Sequence, residues 1–171
     1  MKHACTWCSH DVDAEDSEHP YEGLTPGLCK SCGDRLNSLT SEQLQSYLDD
    51  LVAPVLAIDL YAGRYMITRA VNRGACDRFN KEPQEMVQHL CGNVIECAYA
   101  RLPAGCGRTI HCADCGVKSA VAGTYGTGST STVRVRLARE VPDRNGSLVI
   151  TTVKAGHLVL LRMDESAGPG R

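Results

Sequence analysis

Residues 55–68 read VLAIDLYAGRYMIT. An apolar run, Val55-Leu56-Ala57-Ile58-Asp59, leads to a turn at Ala62-Gly63 and a second run, Tyr65-Met66-Ile67-Thr68. Short runs of this composition, parted by glycine, spell strand, turn, strand. Downstream, 72–90 is helical in pattern, with Ala75, Phe79, Met86, Val87 and Leu90 available for a core. Lys81-Glu82-Pro83 breaks that segment into two short helices, Pro83 standing near the start of the second. A short helical turn is expected at 119–125. The stretch GTYGTGSTST, 123–132, lacks the lysine and the strand–loop–helix setting of a phosphate loop, so it reads as a flexible loop before a strand. Three strand-like runs follow, at 131–138, 147–154 and 157–163. Asp143-Arg144-Asn145-Gly146 supplies the first hairpin turn between them and Ala155-Gly156 the second. Two strands, short helices and a three-stranded meander predict an α+β fold (mixed α/β) around one five-stranded antiparallel sheet.

Upstream of that unit, Pro54 ends a helix that starts near Thr40. Thr40 with Gln43 three residues on has the pattern of a capping box. Leu44, Leu48 and Leu51 follow at helical spacing. Residues 40–53 thus form a linker helix, and its apolar stripe is a candidate homodimer contact through 40–52, with packing on the chain's own sheet equally open. Residues 1–39 carry little that is apolar and are too short to hold a core without a staple. The acidic stretch from Asp11 to Glu18 reads as a solvated loop, and the tail 166–171 as disordered.

The staple is written in the cysteines. The chain has 171 residues and 10 cysteines, of which none follows Cys115. A net charge of -2 gives no basic footprint for nucleic acid. No apolar run resembles a secretory signal or reaches membrane-spanning length, so a cytoplasmic location is expected. In a reducing compartment such cysteines point to metal or redox chemistry more than to disulfides. Cys5-Thr6-Trp7-Cys8 and Cys29-Lys30-Ser31-Cys32 are two C-x-x-C pairs. Each pair places two sulfurs on one ion, and two pairs complete a tetrahedral zinc site with no open position for water. That makes the site structural rather than catalytic, with His3, His10 and His19 as surface residues.

A second group lies in CAYARLPAGCGRTIHCADCG, 97–116: Cys97, Cys106, Cys112 and Cys115. Pro103, Gly105 and Gly107 let this backbone bend sharply, as a chain wrapping a metal must. Cys91 and His111 are possible substitutes in that coordination sphere. Soft thiolates select zinc or an iron–sulfur cluster, and both stay open here, as do metal-free thiols. Cys76 reads as a small buried apolar residue on a helix face. His89, as a lone histidine on a helix, is weak as a haem ligand.

CTWCSH at 5–10 and GLCKSCGDRL at 27–36 resemble a short zinc-finger-like element of bacterial signalling proteins. LDDLVAPVLAIDLYAG (48–63), NRGACDRFNKEPQEMVQHLCGNVIEC (72–97) and the closing strands resemble a PAS sensor domain, with Asp59, Asn72, Phe79 and Gly92 at matching positions. GCGRTIHCADCG (105–116) is similar to a cysteine-rich variant of that domain. The resemblance implies a PAS-like domain over 54–165 behind a zinc-binding module over 1–39. It implies a non-enzymatic sensory or regulatory role, with the signal passed to a protein partner because no output region follows. A thiol–disulfide redox enzyme using Cys112 and Cys115 is the alternative from another class, and a zinc-finger nucleic-acid-binding regulator a third.

Overall fold

The computed structural model describes residues 3–5, 7–8, 11–12, 29–138 and 147–165. Two short strands, β1 (His3–Ala4) and β2 (Asp11–Val12), pair antiparallel. Helices α1 (Lys30–Ser38) and α2 (Ser41–Asp49) come next. Strands β3 (Val55–Tyr61) and β4 (Tyr65–Val71) follow. Then come short helices α3 (Arg73–Phe79), α4 (Pro83–Met86) and α5 (Cys91–Val94), two 3₁₀ turns (Ala98–Arg101 and Ile110–Cys112) and the longer α6 (Gly116–Thr127). Strands β5 (Ser131–Arg136), β6 (Ser147–Ala155) and β7 (Leu158–Glu165) close the fold.

The expected α+β architecture is the one present. Five antiparallel strands lie in the order β4-β3-β7-β6-β5, so the first and last strands of the sheet domain are neighbours at its centre. All short helices between β4 and β5 therefore belong to one long crossover. The local signals act as their chemistry dictates. Thr40 and Gln43 close a reciprocal capping box on α2. Pro83 opens α4. Asn72 caps α3 and is fully buried. Its Oδ1 accepts from the amides of Val55 (2.9 Å) and Ala75 (3.0 Å), while its Nδ2 donates to Leu51 O (2.9 Å) and Ala53 O (2.8 Å). That side chain locks the sheet's entry strand to the start of the crossover.

Both faces of the sheet are covered. Successive residues of a strand point to opposite faces, and β3 and β7 supply each face in turn. Leu56, Ile58, Val159 and Leu161 meet Phe79, Met86, Val94 and Val121 from the crossover helices. Val55, Ala57, Leu158 and Leu160 meet Leu44, Tyr47 and Leu48 of α2, Leu36 of α1, and Cys5 and Trp7. A strand buried on both sides reads as an unbroken apolar run, which is why VLAI and LVLL carry no polar alternation.

Of the two uses left open for the leucine stripe, Leu44 and Leu48 take packing on the chain's own sheet, with Leu51 beside them. Two expectations change. The helical turn expected at 119–125 is part of a helix that runs to Thr127 and takes in Gly123 and Gly126. Glycine inside a helix costs about 1 kcal/mol, and burial of Val117, Ala120, Val121 and Thr124 against the sheet offsets it. The flexible loop is thereby shortened to the residues between Gly128 and β5. Helix α2 stops at Asp49, before Pro54 takes effect. The turn at Asp143–Gly146, His10, His19, most of the acidic stretch and the tail lie outside the described residues.

Candidate metal centres

The first cysteine group converges. The sulfurs of Cys5, Cys8, Cys29 and Cys32 all lie within 4.8 Å of one another. Four thiolates around one zinc at about 2.3 Å stand ~3.8 Å apart along each tetrahedral edge, and Cys8 Sγ is 3.8 Å from Cys29 Sγ. Two backbone amides reach the sulfurs. Cys29 caps α1, its Sγ accepting from the Cys32 amide at 3.4 Å, and its own amide donates to Cys5 Sγ at 3.3 Å.

The thiols are also electrically unequal. Burial opposes charge on Cys5, but the amides of Cys8, Cys29 and Trp7 outweigh it and bring its pKa to about 7. Cys32 is driven well up, first by burial, then by its hydrogen bonds to Cys29 and Cys8 and by the charge of Cys5 and Cys8. One thiolate forms readily and the next is opposed by it, a conflict that a divalent cation removes. The donor set and its spacing fit a metal ion such as zinc, which would supply a closed four-thiolate crosslink at this position.

The four-cysteine group stands on the sheet. Trp7 is buried and donates through Nε1 to the Tyr47 hydroxyl. Arg162 of β7 donates to Trp7 O at 3.1 Å and lies over the indole ring at 5.6 Å. Arg35 of α1 lies over the Tyr47 ring at 4.9 Å. Tyr47 and Arg162 carry no sequence signal as partners of the cysteine group, because their contacts with it are tertiary.

The second group is gathered differently. Cys97, Cys106, Cys112 and Cys115 share one neighbourhood, and Cys106 feels the charge of all three others. Yet among the described residues the first group is the one set of three or more His, Cys, Asp or Glu drawn within 4.8 Å. The second group, expected to share zinc or an iron–sulfur cluster, is less tightly drawn together than the first. The reason lies in the anchors. Cys97 is held by the end of α5, where Glu96 turns left-handed (φ 61°) and the Cys97 amide donates to Gly92 O at 2.8 Å, a Schellman-type ending. Cys106 lies directly on Gly92: a Cβ there would stand 2.6 Å from Cys106 Sγ. Cys112 Sγ accepts from the Gly107 amide at 3.1 Å and lies 3.2 Å from Thr109 Oγ1. Cys115 caps α6, accepting from the Lys118 amide at 3.5 Å. The four cysteines are thus held by three pieces of backbone: Gly92 at α5, the 107–109 turn and the start of α6.

Burial pushes the Cys106 thiol up, the Gly92 amide opposing it, and the neighbouring sulfurs add to the rise. At Cys112 burial is outweighed by the hydrogen bonds of Thr109 and Gly107 and by the Lys118 charge, and the thiol is lowered. Cys91 is fully buried in the main core and burial holds it protonated. His111 stacks on Tyr99 with centroids 3.8 Å apart. His89 is exposed, with Nδ1 3.0 Å from Val87 O. Cys76 is half-buried rather than buried and lines a cleft of about 740 Å³ with Asp49, Asp77 and Glu82, apart from both cysteine groups. No described helix is long and apolar enough to cross a membrane.

No family model and no curated protein matches the sequence. Several solved structures resemble the fold. The photoactive yellow protein domain of a sensor histidine kinase from Rhodospirillum centenum is 15% identical, over 71% of this chain and 92% of that one, with a TM-score of 0.43. The Rhodobacter sphaeroides LOV protein is 10% identical, over 75% of this chain and 68% of that one, with a TM-score of 0.47. A PAS domain from Colwellia psychrerythraea is 14% identical, over 73% of this chain and 95% of that one, with a TM-score of 0.43.

Proposed function

We propose that this chain is a non-enzymatic sensory or regulatory protein of signal transduction. Its sheet domain is PAS-like, its first cysteine group holds a structural zinc, and its second registers redox state or metal and passes the change to a protein partner. One observation carries the reading: the second cysteine loop is tied to three separate parts of the fold. Arg108 donates to the Tyr65 hydroxyl at 2.9 Å, at the β3–β4 turn. The Ala98 amide donates to Ala138 O at 2.7 Å, just beyond β5. Cys115 begins α6, which packs along the sheet. A change in the state of the sulfurs pulls on a hairpin, an edge strand and a helix together, which is the mechanical requirement of a switch.

Hydrogen exchange of the full chain, with the thiols reduced and after mild peroxide treatment, tests this. Faster exchange in 91–127 and in β5 is expected on oxidation. Identical exchange in the two states sinks the sensory reading. The second reading, thiol–disulfide exchange at Cys112 and Cys115, has the lowered Cys112 thiol in its favour. Against it, Cys115 and not Cys112 occupies the helix start, whereas the attacking thiolate of such enzymes is the one a helix N-terminus stabilises.

A further inference from the structure

The two cysteine groups of this chain have the same ligands and different spacing. A single tetrahedral ion needs its four sulfurs mutually close, ~3.8 Å apart, and the first group meets that need within 4.8 Å. The second group is not drawn that close among the described residues, although Cys106 neighbours the other three. We infer that Cys97, Cys106, Cys112 and Cys115 are the ligands of an iron–sulfur cluster rather than of a zinc ion. The inference rests on the reading of this loop as a metal–thiolate centre, but not on its signalling role.

A cluster distributes its thiolates over several irons and so spreads them wider than one ion does. Backbone contacts hold the four cysteines in place. Gly92 places two of the four ligands at once, holding the Cys97 amide through its carbonyl at 2.8 Å and leaving no room for a Cβ beside Cys106. Gly107, left-handed at φ 87°, turns its amide onto Cys112 Sγ. Lys118 donates its amide to Cys115. Amide donors aimed at ligand sulfurs stabilise a cluster and set its potential. The site has a dry side, because Cys97 and Cys115 pack against the main apolar core. Toward solvent it is flanked by the Arg108–Tyr65 pair and the Tyr99–His111 stack. Cys91, the fifth cysteine of the neighbourhood, is turned into the core and is not a ligand.

The test uses the full chain, purified anaerobically and reconstituted with ferrous iron and sulfide. Expected are iron and acid-labile sulfide in equal amounts, a brown chromophore bleached by dithionite, and one zinc per chain at the first group. Cys106→Ser loses iron, sulfide and colour and keeps the zinc. Cys112→Ser, on the half-exposed loop, repeats that loss if the first variant misfolds. Cys91→Ala keeps the colour. A colourless chain carrying two zinc ions, a chain with one zinc and no iron, or full iron in both serine variants overturns the inference. If iron and sulfide are present but hydrogen exchange is the same in oxidised and reduced protein, the cluster stands and the sensory reading falls.

Discussion

Two sets of four cysteines lie in one chain, and they are built in opposite ways. In the first, two C-x-x-C pairs, the second of them opening α1, bring their sulfurs within 4.8 Å of one another. In the second, Cys97 and Cys106 are placed by Gly92 of α5, Cys112 by the Gly107 amide and Cys115 by the start of α6. The lesson is about which part determines which. At the first site the ligands organise the backbone, so removing them removes structure. At the second the backbone organises the ligands, so removing them removes chemistry and leaves the fold.

The largest expected effect breaks the first half of that comparison. Cys29→Ser loses the zinc and uncovers the sheet face under Trp7 and Leu36. The loss of stability is on the order of 5 kcal/mol, a part of the ~10–16 kcal/mol that zinc contributes to finger peptides. At roughly 2–4 °C per kcal/mol the melting temperature falls about 10–20 °C, read by circular dichroism. The matching change at the second group, Cys106→Ser, moves it far less. Equal falls in the two variants end the distinction.

Next are two adjacent leucines of β7. Leu160 faces the zinc side and Leu161 the crossover helices. Each →Ala change costs about 2–5 kcal/mol in the zinc-loaded protein. After chelation the Leu160→Ala cost shrinks by roughly half, since part of its cover has gone, while the Leu161→Ala cost holds. Urea melts with and without chelator measure both, and a Leu160 cost that ignores zinc contradicts the shared core.

A smaller effect isolates the second group. Gly92→Ala puts a methyl 2.6 Å from Cys106 Sγ. The strain costs about 1–3 kcal/mol, and Cys106 is displaced from its place among the ligands. Zinc content stays at one per chain while the capacity of the loop for metal drops. Retained capacity shows that Gly92 does not set the site.

The smallest is chemical. Only thiolate reacts with iodoacetamide. In zinc-loaded, cluster-free protein near pH 7, the lowered Cys112 holds more thiolate than Cys106, which burial raises. Peptide mass spectrometry is expected to show Cys112 labelled first. The gap narrows as pH rises through the Cys112 pKa and then toward that of Cys106. Labelling of Cys106 ahead of Cys112 reverses the assignment of the exposed sulfur.

Much of the fold was legible because its signals are local. The capping box at Thr40, the break at Pro83 and the strand runs at 55–59 and 65–68 act within a few residues of themselves, and the structure keeps them. The full length of α6 was not legible, only its 119–125 portion. Glycine propensity speaks against it, and the burial of Val117, Val121 and Thr124 that overrules it is a long-range term. One signal was present and passed over: LVLL at 158–161, with no polar residue, already says that the strand is covered on both faces.

The sequence by itself determined the ligand type and the pairing of the first site. Two C-x-x-C pairs suffice for that, because the spacing within each pair sets the reach of its sulfurs. It also determined the sheet with its helical crossover, through period and turn chemistry. Only the tertiary structure decided what covers the outer face of the sheet, since Trp7, Tyr47 and Arg162 meet across up to 155 residues of chain. It alone decided the spacing of the second cysteine set. Four cysteines in a glycine-rich loop are compatible with many separations, and the contact of Cys106 with Gly92, the ending of α5 and the start of α6 select one of them.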